Sequence, residues 1–256
     1  MQFIFIISVI IFIVLAVLLR KKKPFSQPEP GIEKRLLEKH VTFYKQLDND
    51  DKEQFLQRVQ LFLQKVRITG VKTTIEDIDR VFIAAAAIIP IFAFKGWQYQ
   101  NIHEVLVYPG SFNEDFEIEG TGRDVLGMVG NGPMQNVMLL SQQNLRDGFF
   151  RNNDTSNTAI HEFVHLVDKT DGDTDGYPRA LLPHKYTVPW IKRIHKEIEL
   201  IRAGQSDINP YGATNEAEFL AVAAEYFFEK PHLMEQRHPG LYQLLLQIFV
   251  PSKLDN

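Results

Sequence analysis

Cysteine is absent from all 256 residues. That excludes disulfides and cysteine-ligated metal sites, so any zinc here must be held by histidine and carboxylate. An excess of one charge sign is also missing. Lys and Arg number 28 against 32 Asp and Glu, and outside Arg20–Lys23 the basic residues are scattered. Nucleic-acid binding therefore has no support. No internal repeat is visible, and long apolar runs are confined to two places.

The first run extends from Phe3 to Leu19, interrupted only by Ser8, and ends at Arg20-Lys21-Lys22-Lys23. In a helix it spans roughly 26 Å, the short end of what crosses a bilayer core. A cleaved signal peptide would carry its positive charge before the apolar run and small residues after it; here the order is reversed. The expectation is a retained transmembrane helix over residues 1–20, with the N-terminus outside and the body cytoplasmic under the positive-inside rule, at a bacterial inner membrane. Residues 21–31, with Pro24, Pro28, Pro30 and Gly31, read as a linker, leaving 32–256 as one domain. The second run, Val81 to Phe94, is too short to span and contains Pro90. It reads as a buried core helix ending near the proline.

The periodicity predicts an amphipathic helix over Asp48–Val66, with Phe55, Val59, Leu61, Phe62 and Val66 on its apolar face. Glu104–Tyr108 reads as a strand. Val125–Val129 and Met134–Leu140 are candidate strands around the turn at Gly130–Pro133. Helices are expected over Trp190–Ala203, Asn215–Phe228 and Leu241–Val250. The fold class is α+β, predominantly helical, with a small sheet.

His161-Glu162-Phe163-Val164-His165 is the most informative stretch. On a helix, positions i and i+4 lie one above the other, so two imidazoles can close on one metal ion. The glutamate after the first histidine points partly away and can reach a bound water without becoming a ligand. Two His ligands, a Glu base and an open position suit metal-assisted hydrolysis. Capping residues at Asn153–Asn157 favour a helix start, and Ile160, Phe163, Val164 and Leu166 can bury it. Two satisfied structural histidines are the bland alternative; polar groups in so apolar a helix need a reason, and a metal supplies one.

A catalytic site needs a third protein ligand. Asp171 stands where one zincin group places a third histidine, but Asp168 replaces that group's turn glycine. Glu218, Val222, Glu225 and Glu229 form one stripe on the helix opened by Thr214-Asn215-Glu216. Asn215 with Glu218 is equally a capping box. Spacing alone does not separate ligand from cap, and Glu216 and Glu225 stay in play.

The segment Asn209-Pro210-Tyr211-Gly212-Ala213-Thr214-Asn215-Glu216-Ala217-Glu218-Phe219, following His161–Asp168, resembles the paired signature of the Mlc titration factor A family of zinc peptidases, which are gluzincin-like. Both motifs are also similar to the catalytic domain of anthrax lethal factor. The family resemblance extends to His103–Pro109, Gly132-Pro133 and Ala224–Phe228, covering most of residues 40–250 in order. It implies a zincin-like metallopeptidase domain with one Zn2+ per chain. The ligands it implies are His161, His165 and Glu218, with Tyr211 facing the metal. The family's better-known bacterial member partners a soluble sugar-uptake repressor and lacks an N-terminal anchor, a departure from this chain.

The expected activity is a membrane-anchored zinc metallopeptidase acting on a peptide or protein substrate. Glu162 serves as general base, and Tyr211 stabilises the oxyanion. Asp168 could orient an imidazole N–H or simply end its helix. Met134–Leu140 resembles the edge strand that zincins offer to an extended substrate. The rival reading is a membrane-tethered adaptor that sequesters a cytoplasmic regulatory protein, with structural zinc.

Overall fold

In chain order the elements are α1 (Ile32–His40), α2 (Thr42–Gln46), α3 (Asn49–Lys65), β1 (Arg67–Gly70), α4 (Asp77–Ile88), β2 (Glu104–Tyr108), β3 (Gly127–Val129), β4 (Val137–Ser141), α5 (Gln142–Phe150), α6 (Thr158–Asp168), α7 (Thr187–Arg202), α8 (Glu216–Glu229), α9 (Pro231–Arg237) and α10 (Pro239–Phe249). The computed structural model describes residues 31–113, 125–130, 132–151, 155–182 and 184–250. The expected transmembrane helix lies outside the described residues, as does the linker apart from Gly31. Among the described residues no helix is long and apolar enough to cross a membrane. The fold is predominantly helical α+β with one four-stranded sheet.

Helix α4 is the core element. Val81 through Ala87 are wholly buried. Four consecutive alanines, Ala84–Ala87, present little side-chain bulk, so neighbouring helices can pack close to its backbone. Asp79 closes its N-terminal capping box and is itself fully buried, accepting from Arg146 Nε at 2.7 Å and Gln142 Nε2 at 2.8 Å. At the other end Pro90 stops the α-helix in a 3-10 turn over Ile89–Ile91. Arg58 of α3 donates to the carbonyls of Phe92 (2.8 Å), Ile91 (3.0 Å) and Trp97 (3.2 Å), tying the segment that follows the helix to α3.

The apolar face of α3 differs from expectation at two residues, with Leu63 taking the place given to Leu61. Phe55, Val59, Phe62 and Leu63 are buried, whereas Leu61 is 43% exposed. At about 100° per residue, positions 55, 59, 62 and 63 share a face from which 61 is turned away.

The sheet order is β1-β2-β4-β3. β1, β2 and β4 run parallel, and β3 pairs antiparallel with β4 through Gly127↔Leu140, Met128↔Leu139 and Val129↔Met138. This corrects the expected edge. The Met134–Leu140 segment begins in a 3-10 turn, and its strand starts at Val137, lying between β2 and β3. The short turn after Val129 sends the chain back inside the sheet, so β3 holds the edge. Gly130 N–H donates to Val137 O and Ser141 N–H to Leu126 O, which turns residues 126, 128 and 130 toward β4. Gly127 and Val129 therefore direct their backbone groups outward. Val125 also faces outward, where an isolated bridge to Phe112 covers it.

Candidate metal centre

The centre lies where α6 and α8 pack together under the edge of β3. Asn157 joins the two helices. Its Oδ1 caps α6 by accepting from Ile160 N–H (3.2 Å), its Nδ2 donates to Glu229 Oε1 (2.9 Å), and its N–H donates to Glu225 Oε2. One capping residue thus fixes the start of α6 against the body of α8.

His161 and Glu162 are buried, at 8% and 6% exposure. His161 Nδ1 lies 2.7 Å from Glu225 Oε1. In the neutral form that a metal requires, the proton stays on Nδ1, shared with that carboxylate, and Nε2 presents its lone pair toward Glu218 and His165. The separations are 2.9 Å from His161 Nε2 to Glu218 Oε2, 3.1 Å between the two Nε2 atoms, and 3.4 Å from His165 Nε2 to Glu218 Oε2. Donors bound to one zinc at about 2.0–2.1 Å in a tetrahedron sit about 3.3–3.4 Å apart. The triangle fits such an ion with small adjustments. Among the described residues His161, His165 and Glu218 are the one group of three potential ligands that could hold a metal.

The alternatives left open by spacing separate here. Asn215 Oδ1 caps α8 through Glu218 N–H at 2.9 Å, and the Glu218 carboxylate reaches the imidazoles. The residue therefore begins the helix with its backbone and lines the centre with its side chain. Glu216 pairs with His195 (3.4 Å) and Asp171 with Arg179 (3.1 Å). Glu225 stands behind His161, on the side of the ring away from the other donors.

Charge is balanced locally. Burial opposes protonation of His161, but hydrogen bonds to Glu218 and Glu225 outweigh it and push its pKa up to about 10. Burial would raise Glu218, yet hydrogen bonds from His161 and His165 bring it down to about 2. Burial raises the pKa of Glu162 above the usual carboxylate range, against the pull of His161 and His165. Tyr211, on a 3-10 turn over Pro210–Ala213 capped by Asn209, is 54% exposed, with its ring 6.0 Å from that of His161. These residues, with Val125–Val129, Tyr177 and Val222, line one open cleft of about 1110 Å³. That exceeds the usual small-molecule pocket and suits a longer ligand.

Asp168 does not hydrogen-bond to His165. Its Oδ2 accepts from Gly176 N–H at 2.7 Å, while among the described residues its buried Oδ1 and His165 Nδ1 meet no hydrogen-bond partner. Burial pushes its pKa up to about 6. Gly176 has φ +79°, and its carbonyl accepts from Trp190 Nε1 (2.8 Å). A side chain there would strike the Glu216 carbonyl at 2.3 Å, so its bare backbone is what lets the end of α6 meet the start of α8. Two residues at the site were missed by sequence reasoning, Gly176 and Gly127. A glycine inside a strand pattern marks close backbone approach, and that signal was present at Gly127.

Two imidazoles and a carboxylate converge on one point, with a buried glutamate beside them and an open cleft above. Fold and centre together define a metallopeptidase-like domain. The family described as glucose-regulated metallo-peptidase M90 matches residues 17–250, and the chain belongs to it. It is 31% identical to Mlc titration factor A of Pectobacterium atrosepticum, over 77% of this chain and 75% of that protein. With Mlc titration factor A of Escherichia fergusonii it is 30% identical, over 81% and 82% respectively. An uncharacterized protein of Synechocystis sp. is 28% identical over 93% of this chain and 90% of its own length. The likeness to anthrax lethal factor rests on the two motifs alone.

Proposed function

We propose that the protein is a zinc metallopeptidase that hydrolyses peptide bonds, with His161, His165 and Glu218 as the ligands. The convergence of those three donor atoms beside the buried Glu162 carries this reading. A zinc ion held there would lower the pKa of water and polarise a peptide carbonyl. Glu162 takes the water's proton and returns it to the leaving amine; its burial raises its proton affinity in the direction that work requires. Tyr211 reaches into the cleft and donates its hydroxyl to the charge developing on the carbonyl oxygen. The outward backbone groups of Gly127 and Val129 offer an extended substrate a short ladder, ended by the Phe112–Val125 bridge.

The names of the relatives favour a second reading, in which the domain binds and sequesters a cytoplasmic regulatory protein. A purely structural zinc would be closed by four protein ligands, and Glu162 would then have no task. Screening the purified protein against a broad peptide library, with zinc analysis alongside, separates the two. Cleavage that a chelator abolishes supports the peptidase, and stoichiometric zinc without any cleavage supports the adaptor.

The apolar run at residues 3–19 and its basic flank support an inner-membrane anchor with the domain on the cytoplasmic side. Protease added outside intact cells then leaves the domain uncut. Digestion from outside contradicts that orientation.

A further inference from the structure

We infer that Gly127 is a positioning residue for Glu162: the missing side chain on the edge strand is the space in which the Glu162 carboxylate lies. The inference rests on the peptidase reading above and adds a residue to it. A methyl carbon placed on Gly127 would lie 2.7 Å from both Cγ and Oε1 of Glu162 and 3.0 Å from its Cδ. Such distances are far inside van der Waals contact, and the three nearest atoms all belong to the Glu162 side chain. What must yield to a side chain at position 127 is therefore the Glu162 carboxylate.

The location gives the contact its consequence. Gly127 belongs to the outer strand of the sheet, and its own N–H and C=O point away from β4 toward the cleft. The residue that admits the carboxylate is thus also one to which an extended substrate would pair. A bare backbone brings base and substrate edge together, and any larger residue separates them. The three nearest atoms all belong to Glu162 and none to His161, His165 or Glu218, so the clash falls first on the base and not on the ligand triangle.

Gly127→Ala tests this. Expected are full zinc stoichiometry, an unchanged melting temperature and an unchanged KM. The fall in kcat should be about 100-fold, since roughly 1 Å of misplacement of a reacting group costs that much. In that background Glu162→Gln should lower kcat little further, because the base is already out of place. A crystal structure of Gly127→Ala, needing neither metal nor activity, should show the carboxylate shifted from β3. Retained kcat, or an unmoved carboxylate with β3 shifted instead, overturns the inference. If Gly127→Ala fails to fold, the Gly127→Ala/Glu162→Ala double variant decides. Recovery of folding locates the clash at Glu162, and continued failure overturns it. If the wild-type protein cleaves nothing, the peptidase reading falls separately, and the crystal structure alone upholds or refutes the contact.

Discussion

Glu225 Oε1 holds His161 Nδ1 at 2.7 Å on the side of the ring opposite the 2.9 Å approach of Glu218 to Nε2. The imidazole is thereby fixed in orientation before any metal arrives, and the neutral form that a ligand must take keeps its proton on Nδ1. Glu225→Gln should lower zinc affinity about 10- to 100-fold while leaving the stoichiometry at saturation unchanged. Competition against a chromophoric chelator measures this. Unaltered affinity would reduce Glu225 to a link with Asn157.

Glu218→Ala should lose zinc nearly as completely as His161→Ala, because each removes one of the three proposed ligands. Glu216→Ala and Asp171→Ala should keep it, since their carboxylates pair with His195 and Arg179 instead. Zinc analysis of the four purified variants checks the set, and full occupancy in Glu218→Ala would remove that residue from the ligand set.

Zinc binding should tighten as pH rises. In the metal-free protein the His161 pKa stands at about 10, and a ligand imidazole must be neutral, so binding releases that proton. Below pH 10 this group alone steepens affinity by up to about tenfold per pH unit. Affinities measured at pH 6, 7 and 8 should climb, and a flat profile would show that His161 carries no proton to release.

Asp168 gives a stability signature of opposite direction to an ion-paired carboxylate. Its folded pKa, about 6, lies above the usual 3.8, so folding takes up a proton between those values. Stability from this group is present below about pH 4 and lost as pH rises through about 6. Melting temperatures of Asp168→Asn and wild type should diverge across that window, wild type losing ground as pH rises. Parallel curves would place the titration elsewhere.

The His161–His165 pair was legible because helical geometry alone puts i and i+4 side by side. Glu218 was not separable from a cap, since its backbone N–H does donate to the Asn215 cap; only packing of α8 on α6 shows where the carboxylate goes. The sheet edge was misplaced for a related reason. β3 and β4 are both short and apolar, and which one is outermost depends on pairing with β2, far away in sequence. β1, four residues long, has too few positions to show an alternation. The parallel sheet, the Glu225 support and the Gly176 joint are likewise long-range facts.

The central claim is that Glu162 moves the proton in a metal-dependent cleavage, and Glu162→Gln tests it most directly. Hydrolysis of a peptide found by library screening should be followed for zinc-loaded wild type, chelator-stripped wild type and zinc-loaded Glu162→Gln. The account predicts full-rate cleavage only in the first, with the variant holding full zinc, melting normally and losing activity by about 100- to 10,000-fold. Wild-type rates in a zinc-loaded Glu162→Gln protein would contradict it.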